Sequence, residues 1–498
     1  MGRECIAGIV VGVVVAILVI VLCVVLIPRN EDSVSTSSDN NVFRESFSAF
    51  LDINTIEYKD LGSKKGHLKV EWSSETSRLN FQQTDVISPN FDLSFQQTFT
   101  VAYDKATIGV SDSNSSINSC LSELPLSQWY GVFNHIVTKD TWINPSKSDG
   151  CPGDAWFTEL NDDTIEICTS SNKLQYVTFQ DTRATVSSWT NTFKRDITIA
   201  ANTTNGPCQT VTIRSSCENN FDPPKVTRDA GTSPKMCLFV HGAGETPSVN
   251  TVRQDLASYW GKIKSYTFNC VSHKFLHYDS KTNGWDSDTI HRLFCDAAAV
   301  NGTIRNTVLF SHSMGNLVIA AALHSNKCTF DQRTSRWFSS QGPWKGSAAA
   351  NKVSDICTNP TFPQRIIRKV LRWNGYCKSN ANVEQKAYTT LKTNYISSTG
   401  VRFNDLQAKG RSYVSGVMCG TSSWGEKVGE SLGLWFIQHY TNIDGPNDGM
   451  VSFDSCKLKT DVNFQDRMSS AYYKDKFNHA DGTCRNGGCP CQWYKYMH

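Results

Sequence analysis

The residues best placed to do chemistry are a serine, an aspartate and a histidine, met in that order along the chain. Ser313 lies in Ser311-His312-Ser313-Met314-Gly315, between an apolar run at 306–310 (NTVLF) and an Ala- and Leu-rich run at 314–324 (MGNLVIAAALH). The first run reads as a buried strand and the second as a helix. A serine on so sharp a strand-to-helix turn is forced out of the sheet. Its hydroxyl then stands at the helix N-terminus, where the dipole favours developing negative charge. Small residues are needed two positions before and after it, because the strand and helix backbones come close. Gly315 supplies one of them. Ser311 stands where glycine is usual and is small enough for the turn to survive.

A serine hydroxyl is a poor nucleophile without a base, and the base needs an acid to orient it. After Ser313 the chain offers His324, His439, His479 and His498. His479, in Phe477-Asn478-His479-Ala480-Asp481, stands near the C-terminus, where the last member of such a set is expected. For the acid, Asp448 in Asn447-Asp448-Gly449-Met450-Val451 is the best fit, on a tight turn before an apolar pair, with Asp444 and Asp454 as runners-up. About 70 residues before the serine, a second apolar run at 236–240 (MCLFV) ends at His241-Gly242-Ala243-Gly244. Such a loop can aim a backbone N–H at an oxyanion, and the expected pair of donors is the N–H of Ala243 and the N–H of Met314.

The set HGAG (241–244), SHSMG (311–315), NDGMVS (447–452) and NHAD (478–481) resembles the secreted triacylglycerol lipases of bacteria, over about residues 235–482. The resemblance implies an α/β-hydrolase superfamily serine esterase or lipase with Ser313 as nucleophile, Asp448 as orienting acid and His479 as base. It implies a carboxylic ester substrate, of the lipid kind or small, and no required cofactor. In those lipases the aspartate two residues after the histidine helps hold a structural calcium. Asp481 matches it and is the one weak calcium candidate. The segment 341–347 (QGPWKGS) resembles the loop leading into the cap of such enzymes. The elbow SHSMGN also looks like that of phospholipid-dependent acyltransferases, so acyl transfer to a lipid alcohol stays open. So does a non-catalytic adhesion or receptor role on a hydrolase fold.

The elements that must hold these residues follow from the rest of the chain. With 498 residues, two or three domains are expected. From 230 to 498, short apolar runs alternate with helical stretches, which predicts a mostly parallel sheet with helices on both faces and a cap insertion around 348–410. Within that insertion, 363–373 (PQRIIRKVLRW) reads as a basic amphipathic helix, fit either to pack on the core or to touch a membrane surface. Residues 42–229 alternate apolar and polar residues at 95–110 and 174–199, with turn formers between, and predict a β-rich lumenal or extracellular domain with no long helical period. Residues 221–234 read as a linker. Residues 28–41 are a polar, Ser-rich stalk.

Residues 6–27 are apolar and uncharged. At 1.5 Å per residue they would span roughly 33 Å as a helix, enough for a bilayer core of about 30 Å. They predict a transmembrane signal anchor behind a cytosolic tail at 1–5. Sixteen of the 18 cysteines and three N-x-S/T sequons, at Asn114, Asn202 and Asn301, lie beyond that run. Together they predict a disulfide-bonded, glycosylated body outside the cytosol, hence a single-pass type II arrangement. Five cysteines fall between 120 and 217, so one of them must pair elsewhere or stay free. Cys484, Cys489 and Cys491 near His479 could hold zinc, but an exported chain favours disulfides. His273 and His277 have no acidic partner at a known metal spacing and read as structural. A net charge of +3, from 49 basic and 46 acidic residues, gives no case for nucleic-acid binding. Protein partners are not legible.

Overall fold

A computed structural model describes residues 46–213 with interruptions, and 235–497 except 362–363, 374, 380, 426–433, 435–436, 439–442 and 444. The tail at 1–5, the apolar run at 6–27, the stalk at 28–41, the linker at 221–234 and the sequons at Asn114 and Asn202 lie outside the described residues.

The first half is built on a ten-stranded sheet whose pairings are all antiparallel. Its long central strands are Phe47–Tyr58, Gly62–Ser73 and Arg78–Ser88. The links between successive strands are mostly a few residues long. A link that short cannot make the crossover a parallel pair requires, so each strand returns beside its predecessor. Alternate residues such as Leu68, Val70 and Trp72 point to one face and are buried. A helix, Trp129–Thr138, packs on this core through Trp129, Val132, Phe133 and Ile136. The spacing of those four residues is helical, and it is a helix where the sequence reading finds none. Phe81 lies at the junction, with its ring centroid 5.9 Å from Tyr130 and 6.3 Å from Phe133.

The second half carries a seven-stranded mixed sheet. In spatial order its strands are Thr251–Arg253, Ser272–His277, Met236–Val240, Thr307–His312, Arg336–Ser340, Val414–Gly420 and Tyr472–Asp475. The edge pair formed by Thr251–Arg253 is antiparallel and the other pairings are parallel. The central strand Thr307–His312 is buried along its whole length, and the helix that follows it, Met314–His324, is buried on all sides but its last residue. Between Arg336–Ser340 and Val414–Gly420 the described residues form four helices: Ala348–Thr358, Gln364–Trp373, Lys386–Thr390 and Phe403–Tyr413. The basic helix Gln364–Trp373 turns Ile367 and Leu371 into the core, while Arg368 and Arg372 reach out to the Asn382 side-chain oxygen.

The expected fold, an α/β-hydrolase catalytic domain with a mostly parallel sheet and helices on both faces, preceded by a β-rich domain and an N-terminal transmembrane helix, is corrected by this architecture. The largest sheet is antiparallel throughout. The second sheet is mixed, and among the described residues no helix is long and apolar enough to cross a membrane. The reason lies in chain length between strands: short hairpin links outnumber the long helical connections that make parallel pairs.

Six disulfides close the described parts: Cys151–Cys168, Cys237–Cys270, Cys295–Cys328, Cys357–Cys377, Cys419–Cys456 and Cys484–Cys491. Cys208 is also disulfide-bonded. So many bridges suit an oxidising, extracellular or lumenal setting. Asn301 is exposed on a turn with Gly302, where a glycan would have room.

Candidate active site

Ser313 occupies the turn between Thr307–His312 and Met314–His324 with φ 53° and ψ −129°. A non-glycine residue there carries backbone strain of about 1–3 kcal/mol, held by its surroundings. The holding contacts are on both sides of the turn. The Ser313 N–H donates to the Ser340 carbonyl at 3.0 Å, and the Asn316 side-chain amide donates to the Ser313 carbonyl at 3.0 Å and to the Ser340 carbonyl at 3.1 Å. Gly315 is where the backbones meet: a Cβ built there would sit 2.4 Å from the Val240 carbonyl oxygen. Ser311, in the usual glycine position, is absorbed by a polar pocket. Its hydroxyl donates to Asn316 Oδ1 at 2.6 Å and accepts from Trp337 Nε1 at 2.7 Å. The buried hydroxyl therefore keeps both of its hydrogen-bond roles satisfied.

Asp448 and His479 arrive from two loops at the same end of the mixed sheet. Asp448 is 1% exposed, and its Oδ1 accepts the N–H groups of Met450 at 3.0 Å and Val451 at 2.7 Å. These bonds aim Oδ2 at His479 Nδ1, 2.8 Å away. A carboxylate only accepts, so the imidazole proton sits on Nδ1 and leaves Nε2 to accept from the Ser313 hydroxyl, also at 2.8 Å. The His479 N–H donates to the Asp448 carbonyl at 2.9 Å, which ties the two loops together by backbone as well. Serine, histidine and aspartate thus stand in one line. Of the runners-up, Asp454 points elsewhere, to Lys345 at 2.6 Å and Lys457 at 2.8 Å, and Asp444 lies outside the described residues. His324 ends the helix after Ser313, and His439 and His498 lie outside the described residues.

The His241–Gly244 loop lies directly against the serine. A Cβ at Gly242 would fall 2.5 Å from Ser313 Cβ and 3.0 Å from its Oγ, so only glycine permits the approach. The loop is held from behind. His241 is fully buried, its ring stacks on Tyr278 with centroids 4.1 Å apart, Nδ1 donates to the Gly242 carbonyl at 2.7 Å, and Nε2 accepts the Tyr278 N–H at 3.3 Å. Burial drives its pKa down to about 3, with smaller effects from the Gly242 bond, His277 and Arg485, so the ring is neutral. Among the described residues the N–H groups of Ala243 and Met314 have no hydrogen-bond partner. That is the condition two donors must meet to receive a developing oxyanion.

Asp481 is fully buried, but its oxygens accept from the Asn478 N–H at 3.1 Å and from Asn486 Nδ2 at 3.0 Å. Among the described residues no cluster of three His, Cys, Asp or Glu could hold a metal. Cys484 and Cys491, weighed as metal ligands, are bonded to each other. His273 and His277 lie on the strand Ser272–His277. His273 Nε2 pairs with Thr267, and His277 Nε2 lies 3.2 Å from Glu245.

Sequence reasoning passed over the residues behind the triad. Tyr259, Asn316, Trp337 and Gln341 all support it through hydrogen bonds. Asn316 and Gln341 stand within segments already singled out, SHSMGN and QGPWKGS, but nothing local marks their roles. Tyr259 lies on a four-residue helix, Ala257–Trp260, with no motif at all. A search of protein families finds none that matches the chain, and no curated protein matches it either.

Proposed function

We propose that this protein is a serine hydrolase that cleaves carboxylic esters, with lipid esters as the substrate class implied by its resemblance to secreted bacterial lipases. The observation that carries the reading is the linear Ser313–His479–Asp448 array, 2.8 Å at each link. In the proposed reaction the Ser313 oxygen attacks the ester carbonyl while its proton passes to His479 Nε2. The imidazolium so formed is stabilised by Asp448. Negative charge on the former carbonyl oxygen is taken up by the N–H groups of Ala243 and Met314, and loss of one such donor typically costs about 10²–10³ in rate. Collapse expels the alcohol, which takes the proton from His479. Water, deprotonated by the same base, then hydrolyses the acyl-serine and releases the acid.

Labelling of the full-length protein by a fluorophosphonate probe tests the reading. Wild type should label and Ser313→Ala should not. Equal labelling of the two would reject the hydrolase and favour a non-catalytic role. Turnover of a phospholipid carrying a labelled acyl chain, with and without a diacylglycerol or sterol acceptor, separates hydrolysis from transfer. Labelled free fatty acid supports hydrolysis, and labelled ester in its place would show an acyltransferase.

A further inference from the structure

We propose, resting on the hydrolase reading, that Tyr259 and His312 are positioning residues that couple the oxyanion loop to the loop carrying the base. The contacts run in one direction through the protein. The Gly242 N–H donates to the Tyr259 hydroxyl oxygen at 2.8 Å. Tyr259 then directs its single proton to His312 Nδ1 at 2.7 Å. That leaves the His312 proton on Nε2, which faces the His479 carbonyl at 2.8 Å and Gln341 Oε1 at 3.0 Å. Gln341 in turn donates from Nε2 to the Asn478 carbonyl at 2.7 Å.

The two ends of this chain are what matter. Gly242 immediately precedes Ala243, so the peptide that Tyr259 grips is the neighbour of the one that carries the Ala243 N–H. His479 is the base itself, and its carbonyl is gripped by the residue just before the nucleophile. One phenol and one imidazole therefore hold nucleophile, base and oxyanion donor in register. The polarity is set at the far end: His312 Nε2 faces two oxygens and must donate to them, so Nδ1 of the neutral ring accepts from Tyr259. His312 is 1% exposed, and burial, with His479 and Arg485 adding to it, keeps it neutral. The Arg485 guanidinium lies 4.7 Å from the centre of the Tyr259 ring and closes that side. All three residues come from separate elements: a short helix, the strand before the serine, and the loop after Arg336–Ser340.

The test is steady-state hydrolysis of p-nitrophenyl butyrate by the full-length protein, with kcat and KM measured separately. Tyr259→Phe keeps the ring and removes only the hydroxyl. It should lower kcat by about 10–100-fold, the scale of a small misplacement of reacting groups, with KM within about twofold. His312→Gln retains a side-chain N–H for the His479 carbonyl and should keep more activity than His312→Leu. The double variant Tyr259→Phe/His312→Leu should be no slower than its slower parent, because both cut one chain. Tyr395→Phe, which loses a hydroxyl bonded to Asp286 elsewhere in the fold, should turn over like wild type. The proposal is overturned if Tyr259→Phe keeps the wild-type kcat, or if the two single losses multiply in the double variant. If wild type itself shows no Ser313-dependent labelling, the hydrolase reading fails and takes this one with it. Normal labelling with unimpaired Tyr259→Phe defeats the positioning role alone.

Discussion

The antiparallel sheet of the first half and the mixed sheet of the second both bury large apolar side chains, and they treat their polar groups differently. Among the described residues of the first half, several charged and polar groups meet in local sets. His67 pairs with Asp52 at 2.7 Å, with both side chains more than a third exposed. Glu166 accepts from Ser148 and Tyr176, and the Arg183 guanidinium stacks 3.8 Å above the Tyr176 ring. Each set satisfies itself and leaves nothing poised. In the second half, Ser313, Asp448 and His479 follow the carboxyl ends of different strands, or the loops beside them, and meet at one end of the sheet. Parallel strands put all their carboxyl ends on the same side, whereas hairpins alternate the ends from strand to strand. Convergence of distant residues is therefore natural to the second half and unnatural to the first.

The sharpest way to break this contrast is to remove the triad. Ser313→Ala and Asp448→Asn should each lower kcat for a soluble ester by about 10⁴-fold, with little change in melting temperature. Ordinary activity in either variant would put the chemistry elsewhere, perturbing the whole comparison. Next in size is a cavity in the first half. Phe81→Ala should cost about 3–5 kcal/mol of stability in urea, while the folded protein keeps its kcat. A large loss of turnover in fully folded Phe81→Ala would show that the two halves are not functionally separate. Smaller is Gly315→Ala, whose Cβ would press on the Val240 and His241 carbonyls. An overpacked contact of that kind typically costs about 1–3 kcal/mol, and here it should also slow acylation by moving the elbow, read as the rate of fluorophosphonate labelling.

The last expected effect, whose size is set by the pH chosen, is a pH dependence of stability confined to the second half. His241 and His312 are both depressed by burial, His241 to about 3. Their neutral forms are favoured by folding, and the unfolded chain binds the proton near pH 6.5. The stability they carry is therefore complete above pH 6.5 and is lost as pH falls toward the folded values, by about 1.4 kcal/mol per pH unit for each ring. Hydrogen exchange at pH 7 and pH 4.5 should show protection falling in the Thr307–His312 strand and less in the Arg78–Ser88 strand. Equal losses in both strands would remove buried histidine as the cause.

Much of the candidate site is readable from the chain because its parts are local. Strand, sharp turn and helix around Ser313 are encoded within 18 consecutive residues, from Asn306 to Leu323. The Asp-Gly turn at 448–449 and the Asn-His turn at 478–479 are equally short-range signals. The global architecture was less legible. Alternation identifies strands without saying which strands pair, and a 16-residue run such as 95–110 becomes two strands, Phe95–Ala102 and Lys105–Ser111, joined by a hairpin. The Trp129–Thr138 helix was missed because its buried residues lie among strand formers.

What the sequence determines by itself is the identity and order of the candidate reacting groups, since each sits in a turn whose shape depends on its immediate neighbours. Tertiary structure decides which acid faces the histidine, why Ser311 is tolerated in place of glycine, and that Tyr259 and Gln341 stand behind the site at all. Those decisions depend on contacts between residues 26 to 167 positions apart, as in the Trp337–Ser311 and His312–His479 bonds. Such contacts exist only once the strands have taken their order in the sheet, and no local propensity records them.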